Sequence, residues 1–234
     1  MKANFIGVLG ATLAAIAPAA AVAQESAMPG TFTGNIAIVN DYVFRGITQT
    51  NQDLAIQGGL DWDSGAGVYI GSWASSLEFG NDASMELDLY GGYRGAIDNL
   101  TYDVGFLYYL YPSTSARGLD FWEFYGKAGY NFGPAAVTVG LNYTPDNTGA
   151  ANNDAGVYYS GMISAPIGDM VSVSGGIGYS ALEGVSNYTD WNAGGTFTIP
   201  GWFSLDVRYY DTNYEAVCGT FCDKRFVVKI SRTF

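Results

Sequence analysis

The last stretch of the chain, Asp223 to Phe234, reads DKRFVVKISRTF. Its residues alternate, so that Phe226, Val228, Ile230 and Phe234 share one parity while the other parity is mostly polar. A period of two is typical of a β-strand with one apolar and one polar face. Such a strand fits either the wall of a β-barrel or the edge of a soluble β-protein, and the preceding residues distinguish the two.

The same alternation recurs in segments of roughly ten residues, the length of a tilted membrane-spanning strand. It is clearest from Met85 to Arg94, where apolar residues alternate with Glu86, Asp88 and Arg94. The first segment is predicted from Phe32 to Ile47, and no facing can be assigned to Val68 to Ser75. Altogether the pattern predicts about twelve strands, an even number typical of single-chain bacterial barrels.

The connections between these segments differ systematically in length. Every second connection is short, and the ones between them are mostly longer and polar. The short turns lie at Asp63, Asp98, Gly133, Gly168 and Pro200. A transmembrane up-and-down antiparallel β-barrel with both termini in the periplasm has short turns on one side and longer loops on the other. A soluble β-sandwich has no reason to sort its loops in this way, so an all-β membrane barrel is the predicted fold.

The chain begins with a predicted secretory signal peptide, residues 1–23. Lys2 supplies the positive charge, Phe5 to Ile16 the apolar core, and Ala21-Val22-Ala23 the cleavage site. The apolar run is too short for a transmembrane helix, and no later stretch is long enough to be one. Residues 24–234 are therefore expected to form a single exported barrel domain.

Composition excludes several classes of function. The net charge of −12 argues against a nucleic-acid partner. The chain contains no His, which removes Ser-His and Cys-His nucleophile pairs and His-ligated metal sites. An outer-membrane lipase or protease is thereby disfavoured, and we expect neither enzymatic activity nor a cofactor.

The two cysteines, Cys218 and Cys222, lie four residues apart in a polar loop. In an exported protein this favours a disulfide. Two free thiols or a metal pair are the alternatives, although two thiolates without further ligands make a poor zinc site.

Parity places most charged residues of the predicted strands on the polar face. A base on the lipid face at the bilayer midplane costs about 2–4 kcal/mol, so these residues are expected to line the lumen. The predicted lumen-lining residues are the acids Asp41, Asp61, Glu86, Asp88, Asp103, Glu123, Asp190 and Asp206 and the bases Arg45, Arg94, Lys127, Arg208 and Lys229. Their acidic excess predicts a channel for small polar solutes or ions with weak cation preference. A closed structural barrel, or an adhesin acting through its loops, is the alternative.

Four motifs resemble the opening region of the TorF-like porin family, also labelled Gcw_chp. They are NDYVFRGITQT (40–50), AIQGGLD (55–61), YIGSWAS (69–75) and ELDLYGGY (86–93). The Cys218–Cys222 loop and the terminal Phe234 are similar to the family's closing region. The resemblance covers nearly all of the mature chain and implies an outer-membrane β-barrel of a Gram-negative bacterium, but implies little about substrate.

The terminal strand also resembles the closing strand of outer-membrane barrels, which ends in Phe and serves as an insertion signal. Phe234 takes that role in this chain, while Arg232 departs from the pattern because the third residue from the end is usually apolar. The resemblance implies outer-membrane lipid, lipopolysaccharide and the barrel assembly machinery as partners.

Overall fold

The computed structural model describes residues 29–79, 82–112, 119–146 and 154–234. The predicted signal peptide lies outside these residues. The strands are β1 (Thr31–Val39), β2 (Val43–Phe44), β3 (Ile47–Thr48), β4 (Ala55–Asp63), β5 (Val68–Ser76), β6 (Met85–Ile97), β7 (Leu100–Leu110), β8 (Phe121–Asn131), β9 (Ala136–Thr144), β10 (Gly156–Ile167), β11 (Val171–Leu182), β12 (Tyr188–Ile199), β13 (Phe203–Thr212) and β14 (Arg225–Thr233). A short helix α1 (Glu215–Cys218) and a 3₁₀ turn (Gly219–Cys222) precede β14.

Twelve of these strands form one closed antiparallel barrel. β1 pairs with β4, each later strand pairs with the next, and β14 returns to pair with β1. The ring closes where Asn35 pairs with Thr233 and Val39 with Lys229. The predicted fold class and strand number are confirmed. Within the described part of the chain, no helix is both long enough and apolar enough to span a membrane.

The sorted connections are also confirmed. The turns after β4, β6, β8, β10 and β12 are tight, and several use residues with positive φ, such as Asp98 (53°), Gly133 (96°) and Gly168 (69°). β1 begins and β14 ends at the same end of the barrel as these turns. We call this the turn side, and the opposite end the loop side.

The outer face of the barrel is apolar, whereas the inner face is polar. On β4, Ile56 and Leu60 are exposed while Gln57 is buried. β5, whose facing the sequence left open, follows the same rule, with Ile70 exposed and Tyr69 buried. A continuous exposed apolar surface of this kind is the surface that a bilayer covers in a membrane barrel.

The predicted first strand is wrong in its second half. β1 ends at Val39, and Asn40 closes it by donating from Nδ2 to the carbonyl of Phe226 and accepting from the amide of Val228. The following residues then leave the wall and enter the barrel. Tyr42 and Phe44 share the parity of the apolar Phe32, Ile36 and Ile38, which predicts the lipid face for them. They lie inside instead, because their polar and aromatic partners are on the inner wall.

Candidate functional site

Residues 40–54, here called the inner hairpin, connect β1 to β4 through the barrel interior. At its tip, β2 and β3 pair through Val43 with Thr48 and Phe44 with Ile47. The two residues between them, Arg45 and Gly46, both have positive φ, 48° and 81°. This matches the type I′ turn that a two-residue hairpin favours. A left-handed backbone costs a side-chain-bearing residue roughly 1–2 kcal/mol, so the contacts of Arg45 must offset that cost.

Arg45 holds the tip against the far wall of the barrel. Its Nη2 atom lies 2.8 Å from both carboxylate oxygens of Glu123 on β8, which lies nearly opposite β1 in the ring. Its guanidinium carbon also lies 4.3 Å from the ring centre of Tyr158 on β10 and 4.6 Å from that of Phe44. Burial alone would lower the pKa of Arg45, but the Glu123 carboxylate raises it above its ordinary value, so the guanidinium stays charged.

Asp41 anchors the root of the inner hairpin to the near wall. Arg225, at the start of β14, donates from Nη1 to Asp41 Oδ2 at 2.8 Å. Asp41 Oδ1 also accepts hydrogen bonds from the hydroxyls of Thr48 and Thr50. The carboxylate therefore joins both arms of the hairpin to the wall. Since Asp41 is 2% exposed, these partners replace the water that its charge would otherwise require.

Tyr42 and Phe44 pack the inner hairpin onto the β5–β7 wall. The Tyr42 hydroxyl donates to Glu86 Oε1 at 2.8 Å, and its ring meets Trp73 edge to face at 5.4 Å. Phe44 makes a similar contact with Tyr109 at 5.9 Å. Burial and the nearby Glu86 carboxylate raise the pKa of Tyr42, which keeps its phenol protonated as a donor.

The last loop covers the root of the hairpin. Cys218 and Cys222 form a disulfide, as predicted. Arg225 donates from Nη2 to the carbonyls of Thr220 (3.1 Å) and Phe221 (2.9 Å), both inside the disulfide loop. The crosslinked loop therefore positions the arginine that holds Asp41.

Glu123 makes several hydrogen bonds in the loop-side interior. It is 1% exposed and accepts hydrogen bonds from Arg45, from the hydroxyl of Tyr109 at 3.2 Å and from Nδ2 of Asn142 at 2.8 Å. A cavity of about 210 Å³ adjoins this group on the loop side. Its lining includes Phe44, Arg45, Glu123, Tyr158, Tyr188 and Tyr214.

The turn-side interior is built from wall residues alone. Tyr90 donates its hydroxyl to Asp61, and Tyr69 donates to Asp103, each at 2.6 Å. Arg94 forms a salt bridge with Asp63 at 2.5 Å. Each of these three contacts joins strands that are next-nearest neighbours in the sheet, and none involves the inner hairpin.

A second ion pair on this half lies within one strand. Arg208 contacts Asp206 at 3.1 Å and also donates to Asn192 and Ser174, each at 2.8 Å. Lys229 is the register partner of Asp206 on β14, so it adds a second base beside that carboxylate.

The structure places every predicted lumen-lining residue on the inner side of the wall or inside the barrel. Two of them, Asp41 and Arg45, come from the inner hairpin and not from a wall strand. The residues on the inner face of the wall are Asp61, Glu86, Asp88, Arg94, Asp103, Glu123, Lys127, Asp190, Asp206, Arg208 and Lys229.

The sequence reasoning missed two interior charges, Asp63 and Arg225. Asp63 belongs to a predicted tight turn, and Arg225 lies in the predicted terminal strand without being in the predicted lumen-lining set, although each shares the parity of its strand's inward residues. Across the described ranges, no group of three or more His, Cys, Asp or Glu side chains is arranged to hold a metal ion.

The chain matches the model of one known protein family. The model of a family described as a bacterial protein of unknown function (Gcw_chp) matches residues 23–234. The chain belongs to the Gcw_chp family. This confirms the family expected from the motifs. Comparison with curated protein sequences returned no match.

Solved structures with a similar fold include two porins. KdgM porin superposes with a TM-score of 0.60 at 10% identity, covering 87% of this chain and 99% of that one. NanC porin superposes with a TM-score of 0.57 at 10% identity, covering 87% and 98%. At this identity the likeness establishes a shared barrel fold.

Proposed function

We propose that this protein is a porin-like channel of the outer membrane that passes small polar solutes or ions by diffusion. The main support is the distribution of polarity around a closed twelve-stranded ring. Charged and hydroxyl groups face inward, and large apolar side chains face outward. An inward polar face of this kind is expected where water and solute occupy the lumen of a membrane barrel. No catalytic chemistry is part of the proposal.

The barrel size and the inner hairpin support passage of small solutes only. Twelve strands lie between eight-stranded barrels, which side chains fill, and porins of about sixteen strands, which leave a water channel. The inner hairpin narrows the loop-side half further. KdgM porin has been solved in complex with oligogalacturonate, an acidic oligomer. The interior of this chain is acidic, so it favours positively charged solutes over acidic ones such as oligogalacturonate.

We also propose that the channel has a weak preference for cations. When Asp63 and Arg225 are added to the predicted set, acids still outnumber bases by three among the named interior residues. Ion pairing reduces the effect of this excess, since four of the acids are paired with arginines. A small remaining negative potential in a narrow bore raises the local cation concentration.

The same proposal includes the protein's location and partners. Its outward apolar surface fits outer-membrane lipid and lipopolysaccharide, and Phe234, exposed at the end of β14, fits an insertion signal read by the barrel assembly machinery. Because β1 begins and β14 ends on the turn side, both termini would lie in the periplasm.

The test is conductance of the purified, refolded protein in a planar bilayer under a KCl gradient. We expect single-channel conductance with a reversal potential on the cation-selective side. The preference should weaken as salt rises from about 0.1 M to about 1 M, where the screening length falls to about 3 Å. A reversal potential that favours anions would contradict the cation preference while leaving the channel intact.

A second candidate is a closed barrel that acts structurally or as an adhesin. It is favoured by one observation, the inner hairpin fixed across the bore by Arg45 and Glu123. Absence of conductance from protein that still shows the heat-dependent gel mobility of a folded barrel would support this candidate over the channel.

A further inference from the structure

Asp88 contains a buried oxygen atom without a hydrogen-bond partner. It faces inward on β6, is 8% exposed, and its Oδ1 atom receives no hydrogen bond from any described residue. The neighbouring interior acids are satisfied, because Glu86 accepts from Tyr42 and Glu123 accepts from Arg45. A buried carboxylate oxygen with no donor costs free energy, so its presence requires an explanation.

Asp88 lies where the inner hairpin narrows the bore. In the sheet register its partners are Trp73 on β5 and Tyr109 on β7. Both of these rings contact the hairpin, Trp73 through Tyr42 and Tyr109 through Phe44. Glu86 is one inward position nearer the loop side and bonds the hairpin directly. Asp88 therefore occupies the first inward position beneath the hairpin on this wall.

The charges around Asp88 are unbalanced. Asp88 interacts electrostatically with Glu86 and Glu123, both acids. The arginine near this group, Arg45, is already paired with Glu123. None of the four salt bridges formed within the described ranges includes Asp88. No arginine or lysine of the described chain therefore forms a salt bridge with Asp88, so a positive charge that pairs with it would come from solution.

We propose that Asp88 binds permeating monovalent inorganic cations and is the residue that sets the cation preference, an inference that rests on the proposed channel function. One free carboxylate oxygen whose register partners are Trp73 and Tyr109 provides a weak site, since neither aromatic residue adds a further charge. A weak site suits conduction, which requires an ion to leave as readily as it enters.

The first test compares reversal potentials in a KCl gradient for the wild type, Asp88→Asn and Asp61→Asn. Asp61→Asn is the matched control because it removes the same charge from an inward carboxylate that has a donor, the Tyr90 hydroxyl. We expect Asp88→Asn to lower the cation-to-anion permeability ratio by about fivefold, the size of a unit charge acting at close range in a partly aqueous bore. Asp61→Asn should lower it far less, and Asp88→Glu should retain most of it.

The second test does not depend on conduction. The wild type should unfold at a higher temperature in KCl than in N-methylglucamine chloride of equal ionic strength, because an ion that binds only the folded state stabilises it. That difference should disappear in Asp88→Asn and persist in Asp61→Asn.

The outcomes separate this inference from the proposed function. If the wild type conducts and Asp88→Asn has the same reversal potential, the role of Asp88 is overturned and the channel function stands. A protonated Asp88 carboxyl would give that result. A wild type that does not conduct would overturn the channel function, and the melting comparison would then decide whether Asp88 binds a cation. Equal melting temperatures of the wild type in the two salts would overturn cation binding at Asp88.

Discussion

The two halves of the barrel interior are stabilised by different kinds of contact. On the loop side, Arg45–Glu123 and Asp41–Arg225 join the inner hairpin to the wall, and their side chains are at most 15% exposed. On the turn side, Arg94–Asp63 joins two wall strands, and both side chains are more than 30% exposed. The other turn-side pair, Arg208–Asp206, lies within one strand and is as buried as the loop-side pairs.

This difference in burial decides how much each ion pair matters. A pair removed from water is expensive to break, because the surviving charge stays buried. A solvated pair contributes little, because water replaces the lost partner. We therefore infer that the loop-side pairs fix the position of the hairpin, whereas the solvated pair Arg94–Asp63 mainly adjusts charge in the bore.

The largest effect should follow from removing the inner hairpin. Val39 and Ala55 are register partners, so residues 41–53 can be replaced by a short Gly-Ser turn without moving β1 or β4. Single-channel conductance should rise several-fold, because the loop-side half would become as open as the wall allows. The control is the same turn chemistry in the β11–β12 connection, residues 183–187, all of which are exposed. Equal conductance with and without the hairpin would show that the constriction lies elsewhere.

A smaller effect is expected from single arginines. Arg45→Ala leaves Glu123 buried without its base, so the apparent free energy of unfolding should fall by about 3 kcal/mol or more. Arg94→Ala removes an exposed partner and should cost less than about 1 kcal/mol. Urea or guanidinium unfolding of both variants, followed by Tyr and Trp fluorescence, measures the difference. Similar losses in the two variants would remove the distinction between the two halves.

Double replacement by serine (Cys218→Ser with Cys222→Ser) should have the smallest effect. The bond closes a loop of only a few residues, so its contribution to global stability should be about 2 kcal/mol or less. Loss of the crosslink should loosen the carbonyls that hold Arg225, and brief openings in bilayer recordings should become more frequent. Alkylation of the denatured, unreduced wild type should label neither cysteine. Labelling of both without reductant would refute the bond.

Much of the wall could be predicted from the sequence because its signals are local. The alternation from Met85 to Arg94 correctly predicted which residues of β6 face inward. The inward face of β5 could not be assigned from the sequence, because Gly71, Ser72 and Ala74 make both faces small and carry little polarity. Its pairing with β4 and β6 decided its facing.

The inner hairpin could not be predicted because its sequence imitates a strand. Tyr42 and Phe44 continue the parity of Ile36 and Ile38, so alternation alone extends β1 too far. Asn40, out of place in that pattern, and Gly46 were the available signals of a break and a turn. Neither residue indicates whether the excursion lies outside the barrel or inside it.

The sequence alone determined the strand number, the inward face of most strands and the two sides of the barrel. These features depend on period-two alternation and on turn residues a few positions apart, which neighbouring side chains encode. Only the tertiary structure decided that Arg45 meets Glu123, 78 residues away, and that Asp41 meets Arg225, 184 residues away. Such partners are chosen when the ring closes, because closure determines which buried charges face each other across the bore.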